Sequence, residues 1–220
     1  MNEALDKKLT TNMEFKSRRF KKVSEESENI YLTEAELSKI YQKDFSKQKT
    51  LDRVRDIFII GCYTGLRYSD LFTINNENLI DKQTKLRIKT EKTGELVIIP
   101  LHTYIKEIIK KHNGIPQYKI TNQTMNESLK AIAEQSGIKE NTLITSTQGT
   151  DTVTNSYKKY ELVSVHTARR SFATNAYLND IPTISIMKIT GHRTEKSFLK
   201  YIKISQEDNA NKLTKHSFFK

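Results

Sequence analysis

Between Leu86 and Leu101 the sequence reads LRIKTEKTGELVIIPL, and no other stretch limits the fold as sharply. Leu86, Ile88 and Thr90 alternate with Arg87 and Lys89, Lys92-Thr93-Gly94 makes a turn, and ELVIIPL follows. Period-two alternation around a glycine turn predicts a β-hairpin or small antiparallel sheet. Elsewhere the apolar spacing is helical. Thr33-Glu34-Ala35-Glu36 forms a capping box ahead of Leu37, Ile40 and Tyr41, so a globular domain is expected to start there. A more buried helix is predicted over 51–63, with Gly61 and Gly65 bracketing its end, and a short helix follows in GCYTGLRYSDL. Further helices are predicted over 103–112, 121–136, 166–178, 183–190 and 195–201, whereas 143–164 has no helical period and reads mostly as loop. The expected fold class is mixed, mainly α with a small antiparallel β-sheet.

A chain of 220 residues can bury one substantial core, or one core with a small appendage. Residues 1–29, rich in Lys, Glu, Ser and Asn, read as a basic linker; 30–205 read as the main domain and 206–220 as a C-terminal tail. No internal repeat or low-complexity tract interrupts this order. Thirty-seven Lys and Arg against 26 Asp and Glu leave a formal charge of +11, which suits a polyanionic partner. A membrane partner is not expected: the longest apolar run, around Ile57 to Ile60, falls far short of the ~20 residues a spanning helix needs. Met1 to Thr11 is charged without an apolar core, so no secretory signal is expected there. Cys62 is the single cysteine, which excludes an intramolecular disulfide and a cysteine-based zinc site and favours a reducing, cytoplasmic setting.

Several residues could carry chemistry. His166 and Arg169, three apart on a helix, share a face and could share an anion. Gly191-His192 ends the next helix, where glycine can adopt the left-handed cap and direct His192 away from it. Tyr201 follows nine residues later, and taken alone it reads as a half-buried anchor. Arg67 lies in TGLRYSDL; if buried it needs an anionic partner, either Asp70 or a bound phosphate. Lys92 at the hairpin tip could equally be an ordinary surface lysine.

The order of these pieces changes their weight. TGLR-x-S-D-L, a lysine before a Thr-Gly turn, H-x-x-R followed by SFAT, then GH, then a tyrosine nine residues on resembles the tyrosine recombinase (phage integrase) family over about residues 30–205. The style of RYSDL and of the hairpin is similar to integrases of conjugative and other mobile elements. The resemblance implies the family's DNA breaking-rejoining catalytic fold. It also implies roles for individual residues: Arg67 and Arg169 as the two phosphate-binding arginines, Lys92 as the hairpin lysine, His166 as the partner of Arg169, His192 at the family's His or Trp position, and Tyr201 as nucleophile. Asp70 matches an acidic position supporting the first arginine. Arg170 adjoins Arg169, but the register of HTARRSFAT selects Arg169; Lys85 and Lys89 compete with Lys92.

The implied reaction is site-specific strand exchange through a 3′-phosphotyrosine link with a free 5′-hydroxyl, which needs no ATP, metal or other cofactor. Arginine forks would hold the non-bridging oxygens of the transition state, His166 would accept the tyrosine proton, His192 would add a hydrogen bond, and Lys92 would protonate the leaving 5′-oxygen. The implied partners are double-stranded DNA, bound less tightly as salt rises, other protomers in a tetramer on synapsed DNA, and DNA-bending accessory proteins. Members of the family usually carry an N-terminal core-binding domain, and residues 1–29 resemble the linker that would follow it. Two alternatives stay open: a type IB topoisomerase, and a non-catalytic DNA-binding protein on the same scaffold.

Overall fold

The computed structural model of the protein describes residues 2–17, 29–148, 151–202, 204, 206–214 and 217–219. Two compact units divide the chain, residues 29–144 with 156–220, and residues 1–28 with 145–155. In the smaller unit, α1 (Asn2–Asp6) precedes a 3-10 turn at Glu14–Lys16, and neither buries a side chain. Residues 18–28 of the predicted basic linker lie outside the described residues.

The larger unit opens with α2 (Glu34–Gln42), α3 (Lys49–Thr64) and α4 (Tyr68–Leu71). A three-stranded antiparallel sheet follows, of β1 (Leu79–Ile80), β2 (Lys85–Lys89) and β3 (Leu96–Pro100) in that order. Next come α5 (Thr103–His112), α6 (Asn122–Gln135) and a two-stranded sheet of β4 (Asn141–Gln148) and β5 (Asp151–Lys158), whose ends belong to the smaller unit. The chain closes with α7 (Val165–Leu178), α8 (Thr183–Thr190), α9 (Glu195–Tyr201) and α10 (Gln206–Thr214). The architecture is mainly α with small sheets, as the sequence predicts.

Local chemistry explains most of these elements. Thr33 caps α2 as predicted: its hydroxyl accepts from the Glu36 N–H while the Glu36 carboxylate accepts from the Thr33 N–H. In β2 and β3 the alternation sorts residues by face, so that Leu86, Ile88, Val97 and Ile99 are buried while Lys85, Arg87 and Lys89 are exposed. The pairing Leu86 with Ile99 and Ile88 with Val97 lays the inward residues side by side. The expected loop over 143–164 is instead largely β4, β5 and a 3-10 turn at Lys159–Leu162. Thr-rich segments favour extended backbone through their branched Cβ atoms, yet residues 141–145 and 153–158 are exposed or only partly buried. A strand that buries neither face leaves no apolar alternation in the sequence.

The main core forms around α3, which is buried on nearly every side from Val54 to Thr64 and packs chiefly against α7. Removing a side chain such as fully buried Phe58 would cost ~3–5 kcal/mol. Polar staples join the layers. Asp56 is wholly buried and accepts from Arg55 Nε at 2.7 Å and Lys111 Nζ at 2.8 Å, with His112 Nε2 also at 2.8 Å, which ties α3 to α5. On α7, Ser171 Oγ accepts from the Leu32 N–H at 2.8 Å, and Asn175 Nδ2 donates to the Leu32 carbonyl at 3.0 Å. The serine of SFAT therefore anchors the segment entering α2. A separate small cluster, of buried Ala173, Ala176, Ile186, Phe198 and Ile202, gathers α7, α8 and α9, and Tyr201 packs at its margin.

Candidate active site

Two helix ends set the site. At the end of α3, Gly65 adopts φ +66° and its N–H returns to the Gly61 carbonyl at 2.9 Å. Any side chain there would be strained by that φ, and a Cβ would stand 2.4 Å from Phe172 Cδ1. The chain then runs extended through buried Leu66 and half-buried Arg67 into α4. At the end of α8, Gly191 adopts φ +64°, and both its N–H and that of His192 return to the Met187 carbonyl. A Cβ on Gly191 would stand 3.2 Å from Arg67 Nη2, and that same nitrogen donates to the Thr190 carbonyl at 3.4 Å. Glycine at the α3 cap thus leaves room for the Phe172 ring, and glycine at the α8 cap leaves room for the Arg67 guanidinium.

α7 supplies the central pair. Arg169 is buried, and its Nη1 donates to the Gly65 carbonyl at 2.5 Å. Burial lowers its pKa to about 10; Tyr201 opposes that shift, Arg67 adds to it and Asp70 opposes it. His166 lies one turn earlier and is exposed. What burial it has lowers its pKa, and Arg170 and Arg169 lower it further. Arg170 is half-buried with its guanidinium 5.6 Å from the centroid of the Tyr201 ring, and burial lowers its pKa as well.

Tyr201 ends α9, a helix capped by the Thr194 hydroxyl and anchored by fully buried Phe198. Its ring lies 4.9 Å from the His192 imidazole, centroid to centroid. Burial raises the phenol pKa, while the charges of Arg169 and Arg170, hydrogen bonding from Arg169 and the charge of Arg67 pull it back. His192 bonds Thr190 Oγ1 through Nδ1 at 2.7 Å, and burial, then Arg169 and Arg67, lower its pKa to about 4. Arg67, Arg169, His192 and Tyr201 are thus brought together within one chain, with His166 on the exposed turn beside them.

Asp70 takes a different partner from the one its sequence context suggests. Among the described residues no ion pair joins it to Arg67; instead its Oδ1, almost wholly buried, accepts from the Glu91 N–H at 2.9 Å. That bond moors the β2–β3 turn to α4, one residue before Lys92. Lys92 itself is exposed and makes no hydrogen bond or ion pair among the described residues. Arg170 is the site residue that the sequence register passed over. Its position directly after Arg169 was the available signal, since it faces Tyr201 from the same turn of α7.

Among the described residues, no carboxylate lies within ion-pair distance of Arg67, Arg169 or Arg170. Three guanidiniums around one phenol, none of them ion-paired among the described residues, are an arrangement that could hold phosphate oxygens. Among the described residues no three His, Cys, Asp or Glu side chains gather as metal ligands would. An apolar cleft of about 360 Å³ between α3, β3, α7 and α8 is lined by none of these site residues. Among the described residues, no helix is long and apolar enough to cross a membrane.

This fold is that of tyrosine recombinase catalytic domains. The model of the Phage integrase family matches residues 31–208, and the chain belongs to that family. Its backbone is similar to that of XerA recombinase (15% identity, TM-score 0.62, 86% of this chain and 65% of that one). It is similar to lambda integrase (75–356), solved as a dimer bound to a COC′ core site (18% identity, TM-score 0.62, 92% of this chain and 68% of that one). The Tn1549 transposon integrase (82–397), solved with circular intermediate DNA, is also similar (15% identity, TM-score 0.58, 98% of this chain and 74% of that one). The chain thus spans just under two thirds of the length of XerA recombinase. No curated protein sequence matches the chain closely enough to count as a relative.

Proposed function

We propose that the protein is a site-specific DNA recombinase that cleaves and rejoins DNA through Tyr201. The observation that carries this reading is the set of three guanidiniums, with no carboxylate ion-paired to them among the described residues, around one half-buried phenol. A phosphodiester entering that set would meet Arg67 and Arg169 as forked, permanently charged donors for its non-bridging oxygens. Tyr201 Oη attacks phosphorus, the bond from phosphorus to the 5′-oxygen breaks, and the strand is left with a 3′-phosphotyrosine and a 5′-hydroxyl. The phenol proton passes to a histidine, and Lys92, on a turn moored by Asp70, protonates the departing 5′-oxygen. Because one ester replaces another, a different 5′-hydroxyl can reverse the step without ATP, which permits strand exchange.

The formal charge of +11 supplies affinity for duplex DNA, and protomers would assemble on paired sites as the lambda integrase tetramer does on a Holliday junction. The domain boundaries at 30–205, with a linker before and a tail after, belong to this same reading. A double-stranded substrate nicked near its cleavage site tests it, because the short fragment carrying the new 5′-hydroxyl diffuses away and its loss traps the covalent complex. The native chain should yield a DNA-linked band on denaturing gels and Tyr201→Phe none. A native chain that binds the duplex but forms no such band would favour the non-catalytic alternative, and relaxation of a plasmid without a specific site would favour the topoisomerase.

A further inference from the structure

β2 and β3 turn one face away from the core, and the two strands divide that face by chemistry. Lys85, Arg87 and Lys89 form a column along β2; their register partners Pro100, Ile98 and Leu96 form the column beside it on β3. All six are exposed, Leu96 at 66% and Ile98 at 49%. No carboxylate stands in either column. Lys85 pairs with Asp81 of the β1–β2 turn at 2.9 Å, whereas Arg87 and Lys89 make no ion pair among the described residues. Beneath them Leu86 and Ile88 are buried in the main core, and Asn78 Nδ2 donates to the Arg87 carbonyl at 2.9 Å. The strand that carries the cations is therefore held in place from below and from one side.

We propose that this outward face of the β2–β3 sheet is a duplex-holding surface, on which Arg87 and Lys89 bind backbone phosphates of the DNA beside the cleavage site while Ile98 and Leu96 lie against its deoxyribose. The inference rests on the DNA reading of the Tyr201 site for its polyanion and goes beyond it in saying where the duplex runs. Alternate residues of an antiparallel strand stand ~6.8 Å apart, so the three cations span ~14 Å. One strand of a duplex sets a phosphate about every 3.4 Å of helix axis, enough for each cation to meet one. Two observations favour a duplex over a protein partner. The column faces outward with two cations that no carboxylate neutralises, and it is continuous with the turn that carries Lys92. Lys89 ends β2 three residues before Lys92, and the Asp70 carboxylate moors that turn to α4 through the Glu91 N–H. Phosphates bound along the column then fix the height at which the turn meets the departing 5′-oxygen.

The test is the salt dependence of binding between the full chain and a fluorescent, mixed-sequence duplex. The slope of log K against log salt should become shallower by about 0.9 in Arg87→Gln and in Lys89→Gln, and by about 1.8 in the double variant. Arg87→Lys keeps the charge and should hold the native slope. Lys82→Gln removes an equal charge from the exposed β1–β2 turn, off the column, and should leave the slope unchanged. Native urea midpoints for all of these show that the fold is intact, since every replaced side chain is exposed. A double variant with the native slope overturns the proposal. So does Lys82→Gln flattening the slope as much as either column variant, which would reduce the effect to net charge. Column variants that keep native DNA binding but lose self-association in sedimentation would assign the face to a second copy and overturn it as well. A native chain that binds duplex through Arg87 and Lys89 yet gives no covalent complex on the nicked substrate defeats the strand-transfer reading and leaves this surface standing.

Discussion

Arg169 Nη1 donates to the Gly65 carbonyl at 2.5 Å, across 104 residues of chain. Gly65 stands two residues before Arg67, so one hydrogen bond couples the arginine of α7 to the backbone turn that aims the other. The spacing between the two guanidiniums is therefore set by a peptide carbonyl and a left-handed glycine, with no carboxylate ion-paired to either among the described residues.

Gly65→Ala should expose that dependence. The new methyl meets Phe172 at 2.4 Å in a backbone conformation that alanine resists. Stability is expected to fall by about 2–4 kcal/mol, read as a lower urea midpoint at unchanged slope. Covalent trapping should fall further than the folded fraction does, because Arg169 loses its register with Arg67.

Asp70→Ala should release the hairpin turn while leaving the core intact. The Glu91 amide loses its carboxylate acceptor, and a bond of that kind contributes about 1.5–3 kcal/mol. Amide exchange at Glu91 should accelerate roughly ten- to a hundredfold. Unchanged protection there would show that the turn holds itself.

Arg170 acts on Tyr201 through its charge, which lowers a phenol pKa that burial has raised. With phenolate favoured as pH rises, covalent trapping increases on the alkaline side. Arg170→Met removes the charge, the phenol pKa rises, and that increase should move to higher pH. Arg170→Lys should move it less. Identical profiles for the three proteins would remove Arg170 from the site.

Acid should weaken the fold partly through His192. The unfolded chain takes up the imidazole proton near the ordinary value of 6.5, the folded chain only near about 4. Between those values the unfolded state binds more protons, so stability falls as pH falls through that window. His166 and His102 are shifted in the same direction, each first by burial, and add to the slope. His192→Gln should make the decline between those pH values shallower in denaturant titrations.

Much of this was legible from residue order, and the exceptions share a cause. The helices over 103–112, 183–190 and 195–201 were marked by apolar spacing, and β2 and β3 by alternation, because each of these elements buries one face. β4 and β5 bury too little for burial to leave a pattern. Within the site, side chains that act on one another across the fold were visible as types in order. Bonds to the main chain were not. Asp70 binds an amide, Arg169 a carbonyl, Thr190 a carbonyl and a ring nitrogen, and no residue letter announces a backbone partner. Arg170 was legible but outranked by its neighbour.

The small cluster under α9 has a bearing on how the tyrosine could travel. Phe198, Ile186 and Ile202 with two alanines hold that helix, while the main core closes over α3 without it. Few apolar contacts mean a low opening free energy for the segment as a cooperative unit. The chain thus carries its phenol on a helix held by the small cluster, and Arg169 and Arg170 on a helix that packs against α3 as well. Such an arrangement would let Tyr201 move with α9 while Arg67 and Arg169 keep their places.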